Sequence, residues 1–255
     1  MNEQQFEALN NPPILETALN VSLQREHFDK KELENIISEI APNALFQKEV
    51  FEDKIEYKSF ANGERDVRQT REFMGMRVAV EKNLVISILN LKSANTILFA
   101  CSILPPYSSW NDFISKSLPL LQKFIEIAKS DRIMRIGVRS IDRIIVKGIS
   151  PLVNYLRAMP PSPLEKGGAL IDNFLYQESF YYLDTKLRAS LVRRAEEVAG
   201  KKKSFIIDTD VYAIANEREL RYPIEDRLLE DMHKLRNDLF FGTIGCSALE
   251  EARKQ

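Results

Sequence analysis

Apolar and polar residues alternate near the start of the chain. Ile14, Glu16, Ala18 and Asn20 fall on one side, and Leu15, Thr17, Leu19 and Val21 on the other. That period of two predicts a strand over residues 12–24. The period then changes. In DKKELENIISEIAP, Leu33, Ile36, Ile37 and Ile40 recur at helical spacing, Asp29 and Glu32 stand as a capping box, and Pro42 ends the run. Strand patterns return in ALFQKEVFEDKIEYKSF, GMRVAVEK, NLVISILNL and NTILFACSIL, divided by the charged segment ANGERDVRQTRE and short polar turns. A helix is predicted from Trp110 to Ala128, with Pro119 placed to kink it or to begin a second one.

RIMRIGVRSIDRIIV, residues 132–146, reads as a strand with Arg135, Arg139 and Arg143 on one face together with Gly137 and Ile141. RAMPPSPLEKGGALIDN, residues 157–173, breaks the pattern with three prolines and two glycines. Beyond it, FLYQESFYYLDTKLRASLVRRAEE and KSFIIDTDVYAIA predict a long hairpin turning near AGKKKS. A closing helix begins at Pro223, buries Ile224, Leu228, Met232, Leu235 and Leu239, and stops at Gly242; Ser247 and Glu250 cap a short last one. Short turns between neighbouring strands imply an α+β fold, mainly antiparallel, with helices packed on one face and two lobes. The lobes are residues 12–156, an N-terminal α+β unit, and 174–255, a hairpin-plus-helix unit, joined by the 157–173 connection, expected to be exposed and beside any functional surface.

Composition narrows the function classes. The 255 residues carry a formal net charge of −1, so nucleic-acid binding would need a local basic patch and the balance does not support it. No apolar stretch approaches the roughly 20 residues of a membrane span, and the first residues lack a signal-peptide pattern. A cytoplasmic protein without membrane attachment is the expectation. Cys101 and Cys246 match no ligand or redox spacing, and Cys101 sits in an apolar run that predicts a buried thiol.

Two readings compete for the arginine face. Planar guanidinium forks on one sheet face can grip phosphates, with Arg135, Arg139, Arg143 and Lys202 as the phosphate-binding candidates. They can equally pair with acids on neighbouring strands: Asp208 and Asp210, which share a face in FIIDTDVYA, and Glu178 and Asp184 before them. Asp208 and Asp210 are also the one weak candidate for a divalent metal, and lack an evident third ligand; no metal or other cofactor is expected. His27 reads as exposed and His233 as a partly buried helix residue. Lys201, Lys202 and Lys203 read as a solvated hairpin tip. No nucleophile elbow, Walker loop, dinucleotide fingerprint or metalloprotease pair is present.

Four stretches, NPPILETALNV, YSSWNDFI, RIGVRSIDRI and HKLRNDLFFGTIGCSALEEA, together resemble a sporadically distributed bacterial and archaeal family of uncharacterised proteins. The resemblance covers nearly the whole chain in order. Family members tend to read R-I-G-L-R-Y-I-N-R-I in the third stretch, where this chain has Ser140 and Asp142 for the aromatic and the amide. The resemblance implies a cytoplasmic protein carried with mobile-element or defence genes, and transfers no catalytic residues. The function expected is a non-enzymatic protein-interaction module, acting on a protein partner or as a homo-oligomer. The alternative is a phosphate-ligand or nucleic-acid binder, or a metal-dependent phosphoryl-transfer enzyme, using the arginine face.

Overall fold

The computed structural model describes residues 13–25, 27–59, 65–130, 132–146, 155–157, 174–198 and 202–245. Nine strands, β1 (Ile14–Gln24), β2 (Phe46–Ser59), β3 (Arg65–Ala79), β4 (Leu84–Leu91), β5 (Thr96–Ile103), β6 (Ile133–Val146), β7 (Leu175–Tyr182), β8 (Leu187–Val198) and β9 (Lys202–Ile214), form one open sheet in the order β2-β3-β4-β5-β1-β6-β9-β8-β7. Every pairing is antiparallel. Among the described residues three α-helices accompany it: α1 (Lys30–Ile40), α2 (Trp110–Ala128) and α3 (Asp226–Thr243). The α+β class is the expected one. No helix among the described residues is long and apolar enough to cross a membrane.

The order has an internal symmetry that the sequence does not display. Outward from the β1–β6 seam, one side runs β1, β5, β4, β3, β2 and the other β6, β9, β8, β7. On each side the first strand of that half lies innermost and the last lies next to it, and the last is followed by a helix, α2 or α3. The two halves thus share one ordering scheme about the seam, though the first has five strands and the second four. The expected lobes meet in this shared sheet, and residues 158–173 of the connection lie outside the described residues, as do Cys246 and the short last helix.

Alternation decides which face is covered. Thr17, Leu19, Val21 and Leu23 of β1 are all fully buried and face the helices. α1 starts at the capping box, Glu32 N–H donating to Asp29 Oδ1 and Asp29 N–H to Glu32 Oε2, both at 2.8 Å. It buries the expected Leu33, Ile36, Ile37 and Ile40. Phe124 of α2 stacks on Phe99 of β5 at 4.7 Å. α2 continues through Pro119 as one helix, because Phe113, Leu121, Phe124 and Ile125 on both sides of it are held in the same core.

Three expectations are corrected. The charged segment is largely strand: β3 begins at Arg65 and pairs with β2 along its whole length, which a two-stranded ribbon with a solvated face permits. The predicted C-terminal hairpin is three strands, because β7 and β8 pair across a turn at residues 183–186 in which Lys186 takes a left-handed φ of 53°. The basic tip is therefore partly strand, with Lys202 opening β9 opposite Val198. Finally, α3 runs past Gly242 to Thr243, and its buried stripe takes in Arg236 and Asn237, while Leu235 and Leu239 are only partly buried.

Candidate binding site on the open sheet face

β6 directs Arg135, Arg139 and Arg143 to the uncovered face, and each guanidinium meets a carboxylate. Arg135 Nη2 donates to both oxygens of Asp210, at 2.8 and 2.7 Å, and its Nη1 donates to Asn20 Oδ1. Arg139 donates through Nε and Nη2 to Asp208 at 2.8 and 2.5 Å. Arg143 Nη2 reaches Glu196 Oε2 at 2.8 Å. The hydrogen bond to Asp208 holds the Arg139 guanidinium above its ordinary pKa. These pairs are not sealed: side-chain exposure is 24% and 27% for Arg135 and Asp210, and 47% and 20% for Arg139 and Asp208.

Arg135 lies 4.4 Å over the ring of Tyr212, and Gly137 is the residue that permits this. A Cβ there would stand 2.8 Å from Arg135 Nη1 and 3.1 Å from Tyr212 Cβ, so any side chain would push the guanidinium off the ring.

Register places Arg77, Ser87, Ala100, Asn20, Gly137 and Tyr212 in one row across β3, β4, β5, β1, β6 and β9. The middle four are small or short, and Ala18 and Ser102 repeat that choice in the next row. Large side chains flank a small floor, and the result is a groove of about 480 Å³, within the usual range for a ligand cleft. Leu89, Leu91 and Leu98 form its apolar end. Arg77, on that side, is exposed and has no carboxylate partner among the described residues. Glu16, at the diagonally opposite corner beside Ile141, makes no ion pair within 4 Å among them, but its charge is close enough to help hold Arg139 above its ordinary pKa. With strands about 4.8 Å apart and residues about 3.3 Å apart, the two lie roughly 19 Å from each other.

The other sequence candidates fall elsewhere or are already engaged. Asp208 and Asp210 are bound by arginines, and among the described residues no group of three His, Cys, Asp or Glu is arranged to hold a metal. Glu178 pairs with Arg193 on the covered face. Lys202 lies eight residues along β9 from Asp210, about 26 Å away, so it is not brought to the groove. His27 is half-buried, not exposed. Cys101 is buried, and burial pushes its thiol up to about 12.

Sequence reasoning missed a buried polar layer on the opposite face. Thr17, Ser140 and Thr209 stand side by side on β1, β6 and β9, all nearly inaccessible. With Asp142 they separate the main core from a second apolar cluster around Phe205, Ile207 and Phe240. Asp142 Oδ2 accepts from Ser140 Oγ at 3.0 Å, while its Oδ1 has no hydrogen-bond partner among the described residues. Burial raises this carboxyl to about 6, against the pull of Arg236. Nearby, His233 stacks on Trp110 at 4.2 Å, and Asn237 Nδ2 donates to His233 Nε2 at 3.2 Å. Burial, and then Arg236, lower His233 to about 3, which keeps it neutral. The signal available was the pair of polar residues, Ser140 and Asp142, on the buried parity of β6.

Neither histidine nor Cys101 lines the groove; its polar groups are Glu16, Asn20, Asp210, the serines Ser22, Ser87 and Ser102, and the three arginines Arg77, Arg135 and Arg139. Compared with known proteins, the chain matches no family model, no curated protein and no solved structure.

Proposed function

We propose that the chain is a non-enzymatic interaction module that holds an extended segment of a protein partner in the open-face groove. The observation that carries this reading is the diagonal placement of Arg77 and Glu16 around a floor of small residues. Arg77 has no carboxylate partner among the described residues, and Glu16 lies beside the Arg139–Asp208 pair without an ion pair of its own within 4 Å among them. An extended segment of about seven residues spans that diagonal. Its acidic end would face Arg77, its basic end Glu16, and its central side chains would lie over the small floor of Ser87, Ala100, Ser102 and Ala18. The carboxylates that occupy Arg135 and Arg139 weigh against a nucleic-acid backbone, since phosphates would meet Asp208 and Asp210 on the same face. A phosphate-bearing small molecule is the second reading, and what favours it is the exposed guanidinium of Arg77, which has no carboxylate partner among the described residues.

The test is an amide-shift titration of the full chain with the heptapeptide Lys-Ser-Leu-Ser-Leu-Ser-Asp, whose alternate side chains Lys, Leu, Leu and Asp share one side, and, separately, with inorganic phosphate. The expected result is peptide-induced shifts at Ala18, Ser87 and Ala100 that vanish in Ala100→Phe, a variant that fills the floor from its open side. Phosphate-induced shifts at Arg77 without a peptide response would transfer the site to the second reading. No response to either would overturn both.

A further inference from the structure

β4 pairs with β3 only over Gly75–Ala79. The rest of β3 pairs with β2 alone, so Phe51–Ser59 and Arg65–Phe73 stand as a two-stranded ribbon clear of the sheet. Nine residues per strand give it a length of about 30 Å. It departs at a bulge: Val50 pairs with Gly75 and Phe51 with Phe73, leaving Met74 unpaired. Gly75 has φ +153°, and a Cβ there would lie 2.0 Å from the Ile88 carbonyl oxygen. Only glycine fits that departure point.

The ribbon is amphipathic. Glu52, Lys54 and Glu72 share one face, linked to one another and to Lys92. Phe51, Asp53 and Ile55 lie on the other, opposite Phe73, Arg71 and Gln69, with Val67 further along. Phe73 packs on the main core, so this second face continues the covered side of the sheet past the helices. There it is bare: Phe51, Ile55 and Val67 are 37%, 53% and 56% exposed. A lone two-stranded ribbon is marginal in water, and burying its apolar face is the ordinary remedy.

We infer that this face is covered by the same face of a second copy of the chain, the two ribbons crossing about a twofold axis. Charge selects this occupant. The only charges described on the face are Arg71 and Asp53, side by side at 3.9 Å and more than half exposed. Two copies related by a twofold bring Arg71 of each against Asp53 of the partner subunit, so the surface is self-complementary, as an isologous contact requires. A ribbon face of this length and width covers roughly 300 Å² on each copy, below the roughly 800 Å² of a standard interface. The dimer is therefore concentration-dependent.

Sedimentation velocity of the full chain over a wide concentration range tests this, with urea melts confirming that each variant folds. The wild-type chain should shift from monomer to dimer as concentration rises, and Ile55→Lys should remain monomeric. Arg71→Asp and Asp53→Arg should each be monomeric alone, because the two described charges of the face become both acidic in one variant and both basic in the other. Mixed in equal amounts, the two should associate. A wild-type chain that stays monomeric throughout overturns the inference, as do single variants that still dimerise or a mixture that does not associate.

Discussion

Replacing Asp142 by asparagine removes a titrating carboxyl from the interior while preserving its shape and its bond to Ser140. Burial raises the Asp142 carboxyl from 3.8 to about 6. In the unfolded chain the proton leaves near 3.8, whereas in the folded protein it is held until the pH approaches 6. The folded state therefore binds the proton more tightly, and stability falls as the pH rises through this window. At neutral pH the folded chain carries a carboxylate that the interior solvates poorly, which costs about 3 kcal/mol, the shift multiplied by 1.36 kcal/mol per unit. Below the unfolded value the cost is absent. The gain in stability from Asp142→Asn should thus grow by about 3 kcal/mol between about pH 3 and about pH 7.5. Urea melts of both chains at several pH values measure it. His233 pulls the other way, since its lowered value makes the unfolded chain the better proton acceptor below 6.5. It titrates in both chains and largely cancels in the difference. A difference between the chains that does not change with pH would refute the reasoning.

Arg139→Ala should cost less than about 1 kcal/mol in the same melts, because the pair with Asp208 is half exposed and solvent screens it; a loss of several kcal/mol would mean that the face is covered. Cys101 should resist alkylation in the folded chain and react once urea unfolds it, with peptide mapping separating it from Cys246. Rapid labelling of Cys101 without denaturant would contradict its burial.

The local patterns were legible where one strand or helix carries its own signal. The capping box and apolar face of α1 follow from spacing alone, as does the shared direction of Arg135, Arg139 and Arg143. The partners Asp208 and Asp210 were also readable, since a D-x-D on a strand presents both acids to one face. Arg143 escaped, because Glu196 reaches it from β8, across β9, and Glu178 belongs to Arg193. The groove left no trace in the sequence. Its floor is assembled from single small residues on β4, β5, β1 and β6, and only the register aligns them. The ribbon was obscured by its own charge: alternating acids and bases in residues 61–72 look like a loop until a second strand is set beside them. In α3, apolar spacing favoured Leu235 and Leu239, but the polar layer on the sheet draws Arg236 and Asn237 inward.

The seam between β1 and β6 has a consequence for recognition. If two identical half-chains met about a true dyad, every residue on one side would be repeated on the other, and such a surface cannot tell one end of a bound chain from its reverse. Joining the halves in a single polypeptide removes that constraint. β3, β4 and β5 now carry Arg77 and the leucines, while β6 and β9 carry Arg135, Arg139 and Asp210. A cleft laid across such a junction has a head and a tail, so an extended segment bound as proposed would be held in one direction only.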